Sequence, residues 1–402
     1  VTATKSKLRL AVFNTQPPLF LGGVERRILE TARYLKNDVA TTVYSGTKAG
    51  LHSVKYLDHV TVVPCFSTDK IFPLDNWTFN QTLSRNVDVI KADVYETHTA
   101  SGYGFINSIR KRDVKAPIIQ TIHGVLADEY AQATLRGGLT IKQKLANLFM
   151  WKLAKYEEQS AKKATLIVTI SQYSKKKMLQ YYDIDPKKIR LVPNGVDTDR
   201  FTPEGRVEEI KPLVKIDNRP VVLFVGRLIP RKGLTYLVEA AKQVVKECKD
   251  VLFVIVGNGP LRGRLISDIA AAGLKHNFIL LGDVSEEDLP KIYRCADIFT
   301  LSSIQEGQGI VLLEAQSSGK PVVAFNVSGV AEAVRNEETG LLASPANSDE
   351  LARALLRLLS DISLRQKMGK NGRDFVVTEF SWSIIAKKLL SVYHEAIADS
   401  IV

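Results

Sequence analysis

Two consecutive arrays of alternating strand-like and helix-like segments predict an α/β protein built from two Rossmann-like, doubly wound domains facing each other across a cleft. The strand-like runs are short and β-branched with little polar alternation, as in parallel sheets buried on both faces. Glycine-bearing turns recur at the carboxyl ends of these runs, where doubly wound sheets bind their ligands. At 402 residues, 45% of them hydrophobic, the chain exceeds one typical domain and can bury large cores.

In the first half, strands are predicted near Leu8–Asn14, Ala40–Tyr44, Val60–Val63, Val94–Thr97, Ile118–Ile122, Leu166–Ile170 and Arg190–Val192. Helices fit Val24–Leu35, Trp77–Arg85, Gly102–Arg112, Ile141–Lys162 and Tyr173–Tyr181. The Pro193–Asn194–Gly195 turn closes this half, and a polar segment through Asp217 reads as the linker. The second half places strands at Val221–Val225, Leu252–Val256, Ile279–Leu281, Ile298–Leu301 and Val322–Ala324. Between and after them, helices are expected at Tyr236–Lys246, Gly259–Ala272, Glu286–Tyr293, Ile310–Ser317 and Ser348–Leu359, with a closing helix over Ser383–Ala398. No internal repeat or low-complexity run is evident.

Composition narrows the class. No stretch approaches the ~20 consecutive apolar residues that span a bilayer, and no charged n-region followed by an apolar h-region opens the sequence. Cys65, Cys248 and Cys295 are scattered without CxxC spacing, which argues for a reducing compartment; a cytoplasmic protein is expected. The net charge of +12 is uneven, since Ile141 to Arg190 holds twelve Lys or Arg against four Asp or Glu. That segment reads as a solvated face or as a surface for an anionic membrane, with Leu145, Leu148, Phe149, Met150 and Trp151 beside the lysines. Nucleic acid is not an expected partner, because neither a recognition motif nor a stacking array accompanies the charge.

Chemistry concentrates in the second half. In SSIQEGQGIVLLEAQSSGKPVV, Glu306 lies in a glycine-bearing loop and Glu314 inside the helix that the loop opens. Gly307 and Gly309 allow close backbone approach, and the first helical turn offers unpaired N–H groups to an anion or to hydroxyl oxygens. Taken alone, the pair reads equally well as two glutamates without a joint role. Upstream, VLFVGRLIPRKGL carries Gly226, Arg227, Arg231, Lys232 and Gly233 at a strand-to-helix turn, a cation set suited to a diphosphate. VLFVIVGNGPL ends in a Gly257–Gly259–Pro260 turn, and near the N-terminus Gly22 and Gly23 precede a helix.

These motifs, with TIHG at Thr121–Gly124 and VPNGVDTDRF at Val192–Phe201, resemble glycosyltransferase family 4 in type and order, from Gly22 to the FSW of Phe380–Trp382. The resemblance implies the GT-B fold and a retaining transferase that moves a hexose from a UDP- or GDP-sugar. It implies domains at 1–200 (acceptor side) and 201–380 (nucleotide-sugar side), with 381–402 crossing back onto the first. Arg227 and Lys232 would neutralise the diphosphate, Glu306 would face the transferred sugar, and Glu314 would bind the ribose hydroxyls. Gly307, Gln308, Gly309 and Ile310 would reach sugar hydroxyls and phosphate, although Gln308 stands where most members carry an aromatic residue. Gly22 and Gly23 would admit the diphosphate, His123 would approach the sugar, and nucleobase contacts would fall around Val284. Ser171 and His98 end neighbouring strands and are weaker candidates. No cofactor and no metal is implied, since no DxD pair follows an apolar strand. The acceptor is left open between a lipid-linked or membrane-associated glycan and a soluble sugar phosphate. Location would be cytoplasmic or peripheral on the inner face of the cell membrane; oligomeric state is unassigned. A dinucleotide-dependent oxidoreductase, the alternative for Rossmann-like units, requires GxGxxG with a later acid, which GGVER and GNGPLRG lack.

Overall fold

The computed structural model describes residues 6–18, 22–47, 50–57, 59–68, 74–135, 141–206, 210 and 219–401, with the side chains of 135, 141–146 and 401 left out. Residues 207–209 and 211–217 of the linker predicted through Asp217 lie outside these residues. The chain divides into two compact units, Val1–Pro193 with Ile385–Val402, and Asn194–Ile384.

The first unit is built on an eight-stranded sheet. Its strands are β1 (Leu8–Asn14), β2 (Val39–Gly46), β3 (Lys55–Leu57), β4 (Val60–Cys65), β5 (Val94–His98), β6 (Ile118–Ile122), β7 (Leu166–Thr169) and β8 (Ile189–Leu191). They lie in the order β3-β4-β2-β1-β5-β6-β7-β8, with only β3 antiparallel to its neighbour. All five residues of β5 and of β6 are buried, which is why neither segment alternates in polarity. The helices are α1 (Gly23–Tyr34), α2 (Leu74–Arg85), α3 (Tyr103–Lys111), α4 (Leu126–Leu135), α5 (Ile141–Lys163) and α6 (Gln172–Tyr181). One core cluster gathers Phe13, Phe79, Phe105, Ile118 and Ile167, and the Phe13 and Phe105 rings lie 4.6 Å apart.

The second unit carries β9 (Val221–Val225), β10 (Leu252–Val256), β11 (Phe278–Gly282), β12 (Ile298–Leu301), β13 (Val322–Phe325) and β14 (Gly340–Ala343). Every pair is parallel, in the order β11-β10-β9-β12-β13-β14. The direction of winding therefore reverses between β9 and β12, and ligands of open α/β sheets bind outside such a reversal. Its helices are α7 (Leu234–Glu247), α8 (Arg262–Ala271), α9 (Leu289–Cys295), α10 (Ile310–Ser317), α11 (Val330–Ala333), α12 (Ser348–Ser360) and α13 (Ile362–Glu379). The closing helix α14 (Trp382–Ile401) begins in this unit and continues from Ile385 in the first.

Several elements depart from sequence expectation for identifiable reasons. The helix expected over Glu286–Tyr293 starts later, at Leu289, because Pro290 lacks an N–H and fits only the first turn. Helix α13 has no sequence counterpart, since Gly369 and Gly372 read as breaks. They serve packing instead: a Cβ at Gly369 would fall 2.2 Å from the Gly319 carbonyl oxygen. The short edge strands β3 and β14 and the helix α4 were likewise not expected, the strands being too brief to show a period.

Candidate active site

The end of β9 and the loop after β12 meet at the winding reversal. After Gly226, residues Pro230–Lys232 form a 3-10 turn that Gly233 closes in the left-handed conformation, φ 61°. A Cβ at Gly233 would lie 2.1 Å from the Ser302 carbonyl oxygen, so only glycine lets this turn press against the end of β12. That contact brings Lys232, 6% exposed, onto Glu306, with Nζ 2.6 Å from Oε2. Ser303 Oγ donates to the same oxygen at 3.2 Å, and Arg231 approaches Oε1 at 3.3 Å while also bonding the Gln305 carbonyl. Burial pushes the Glu306 carboxyl up, but Lys232 and Arg231 together outweigh it and hold it at about 2. The group is thus ionised at any physiological pH.

Arg227 behaves differently. It is exposed, and its guanidinium makes no side-chain hydrogen bond or ion pair among the described residues. The three cations expected together therefore divide: Lys232 and Arg231 are bound to Glu306, and Arg227 stands open to solvent. The ion pair was not foreseen, because residues 74 positions apart carry no sequence signal of contact.

Gly309 caps α10 in the left-handed conformation, φ 85°, and Gly307 and Gly309 flank Gln308. The Gln308 side chain is buried, and its Oε1 accepts the Asn194 backbone N–H at 2.7 Å. This residue thus ties the α10 entry loop to the VPNG turn. Ile310 opens the helix half-buried, and Val284 packs half-buried beside the core after β11. Glu314, 1% exposed in the second turn of α10, accepts a 2.8 Å hydrogen bond from the Tyr293 hydroxyl. Tyr293 on α9 was missed by sequence reasoning, since a buried aromatic resembles any core residue.

The first unit holds the remaining candidates. Gly22 precedes α1 in extended conformation, and Gly23 is its first residue. The Glu25 carboxylate turns back over this helix start, so that a Cβ on Gly22 would meet its Oε2 at 2.4 Å. Asn14 Nδ2 donates to Glu25 Oε1 at 2.8 Å, yet burial dominates and pushes the Glu25 carboxyl up. The helix start at which Gly22 and Gly23 are expected to admit a diphosphate is thus partly engaged by the chain's own acid. His123 follows β6, and its Nε2 lies 2.9 Å from Nδ1 of His98 on β5. Ser171 is the N-cap of α6, its Oγ accepting from the Ser174 N–H, which accounts for it structurally.

The lysine-rich segment forms α5 and α6. Leu148 and Trp151 are 58% and 47% exposed, whereas the side chain of Leu145 lies outside the described residues. A groove of about 420 Å³ runs beside them, walled by Tyr130, Trp151, Tyr181 and Tyr182. Among the described residues no cluster of three or more His, Cys, Asp or Glu converges as a metal site, and no helix is long and apolar enough to cross a membrane.

Two parallel-sheet domains of this kind define the GT-B class of fold. Sucrose-phosphate synthase from Thermosynechococcus elongatus superposes with a TM-score of 0.83 at 20% identity, over 98% of this chain and 100% of that one. Residues 21–200 match Glycosyltransferase Family 4, and residues 206–375 match Glycosyl transferases group 1. The chain belongs to this glycosyltransferase family and is an enzyme of that class. It is similar to the D-inositol 3-phosphate glycosyltransferase of Salinispora arenicola, 30% identical over 94% of this chain and 88% of that relative. It is also similar to the UDP-Gal:α-D-GlcNAc-diphosphoundecaprenol α-1,3-galactosyltransferase of Escherichia coli, 29% identical over 99% of both chains.

Proposed function

We propose that the chain transfers a hexose from a nucleoside-diphosphate sugar to an acceptor with retention at the anomeric carbon. The observation that carries this reading is the Lys232–Glu306 pair at the winding reversal of the second sheet, with Arg227 unpaired beside it among the described residues. Negative charge grows on a diphosphate as the glycosidic bond breaks, and cations fixed in advance stabilise that transition state. Lys232 is fixed by Glu306, and Arg227 is available to the phosphates. These cations supply the charge that a divalent metal supplies elsewhere, so activity is expected to persist in EDTA. Glu314, oriented by Tyr293, holds the ribose.

Glu306 shares its two oxygens among Lys232, Arg231 and Ser303, which makes it a poor nucleophile. That favours front-face departure, with the leaving phosphate taking the acceptor's proton, over a covalent glycosyl intermediate on Glu306. Calorimetric titration with a panel of UDP- and GDP-sugars is expected to give saturable binding with one donor; a flat response to all of them overturns the reading. Glu314→Ala should weaken nucleoside-diphosphate affinity by about tenfold or more, the worth of a charge-assisted hydrogen bond. Glu306→Ala should instead reduce turnover more than affinity, and an equal loss of binding in both variants contradicts this division of roles.

For the acceptor we favour a lipid-linked or membrane-associated glycan, as in the name of the Escherichia coli relative, over a soluble sugar phosphate; the name of the Salinispora relative carries D-inositol 3-phosphate. Exposed Trp151 and Leu148 within the basic segment support it. The protein should co-sediment with vesicles containing anionic lipid at low salt, less so at high salt and less so as Trp151→Ala. No binding at low salt would count against this choice of acceptor.

A further inference from the structure

The buried polar core of the first unit contains a chain of side chains that no step above uses. Glu96 and His98 alternate along β5 and so share one face of the strand. His98 Nε2 lies 3.8 Å from Glu96 Oε1 and, among the described residues, has no hydrogen-bond partner. The Glu96 carboxylate is itself held at both ends, with Thr121 Oγ1 donating to Oε1 and the Tyr393 hydroxyl of α14 donating to Oε2, each at 2.6 Å. On its other side, His98 Nδ1 meets His123 Nε2 at 2.9 Å, with the two rings stacked 5.1 Å apart. Among the described residues, fully buried Arg27 also acts on the pair, and its guanidinium bonds the Val192 and Pro193 carbonyls.

Two imidazoles joined by one hydrogen bond need one donor and one acceptor. Burial lowers His98 to about 4 and His123 well below 6.5, so both rings are neutral near pH 7. The carboxylate then selects the tautomer. An N–H of His98 facing Glu96 is attracted to it, whereas a lone pair at the same 3.8 Å is repelled, and little solvent screens either interaction. With its proton on Nε2, His98 presents a lone pair at Nδ1, and His123 must donate from Nε2. We propose that Glu96 and His98 are positioning residues that lock His123 in the Nε2–H tautomer, leaving its Nδ1 as an acceptor for a hydroxyl proton of the bound sugar. The last clause rests on the proposed function together with the resemblance by which His123 would approach the sugar; the tautomer does not.

Histidine nitrogen shifts of the ¹⁵N-labelled full chain test the tautomer without any substrate. His123 should appear as Nε2–H in the unaltered protein and as a mixture in Glu96→Gln. Tyr393→Phe keeps the carboxylate and should leave the tautomer unchanged, which separates the charge effect from general disturbance of the core. An Nδ1–H signature in the unaltered protein overturns the proposal outright, as does an unshifted Glu96→Gln. A second arm uses donors with each sugar hydroxyl replaced in turn by fluorine, which accepts but cannot donate. At one position the loss should be about tenfold and should vanish in Glu96→Gln. Failure at every position, with the unmodified donor still binding, refutes the hydroxyl contact. Failure of the unmodified donor to bind refutes the transferase reading and leaves the tautomer result standing.

Discussion

Lys232→Ala is expected to lower turnover by about 100-fold or more and to destabilise the second unit at the same time. The first effect follows from the proposed role of Lys232 as a cation facing the departing diphosphate. The second follows from the geometry of the site, where Glu306 would keep the Ser303 hydroxyl and, among the described residues, one cation, Arg231, 42% exposed and 3.3 Å away. Breaking a buried pair by deleting one partner costs about 3–5 kcal/mol, and the surviving contact to Arg231 should reduce that to about 2–3 kcal/mol. The double variant Lys232→Met with Glu306→Gln separates the two effects. It removes the stranded charge, so thermal stability should return toward that of the unaltered protein while turnover stays low. If stability fails to recover, the loss does not arise from Glu306.

The same pair makes an acid-side prediction. The Glu306 carboxyl sits at about 2 when folded against an ordinary 4.5, so its contribution to stability is complete above pH 4.5 and is lost as pH falls toward 2. Acid unfolding of the unaltered protein compared with Glu306→Gln should therefore converge over that window. Parallel curves from pH 6 to pH 2 would mean the carboxyl is not depressed.

Arg227→Ala should reduce turnover by a similar ~100-fold with almost no change in melting temperature. Its guanidinium is exposed and makes no side-chain hydrogen bond or ion pair among the described residues, so little stability is expected to be lost with it. Circular dichroism melts beside steady-state rates decide the matter. A destabilised Arg227→Ala would show a structural role, and full activity would remove Arg227 from the donor site. The contrast with Lys232 matters because two cations from one sequence motif, five residues apart, are predicted to fail in different ways.

The strand runs, the glycine turns and the motif order were legible because each rests on local chemistry. A β-branched run buried on both faces shows itself in its own composition, as in β9 and β10, where all five residues of each are buried. Helix α13 was hidden because Gly369 and Gly372 signal a break locally and become packing contacts only when α10 lies against them. Tyr293 was hidden because its task, donating to Glu314, depends on a residue 21 positions away. Glu25 was hidden as an ordinary first-turn acid, until its carboxylate is seen turned over the start of α1 beside Gly22.

By itself, the sequence determined the two α/β arrays and the inventory of chemical groups, because periodicity, turn residues and side-chain type are local properties. Only the tertiary structure decided how those groups are spent. It paired Lys232 with Glu306, left Arg227 open, turned Gln308 toward Asn194 and joined His98 to His123. The physical reason is that a charge or hydrogen bond is assigned by distance and burial, and the returning strands of a doubly wound sheet bring together residues that the chain keeps far apart.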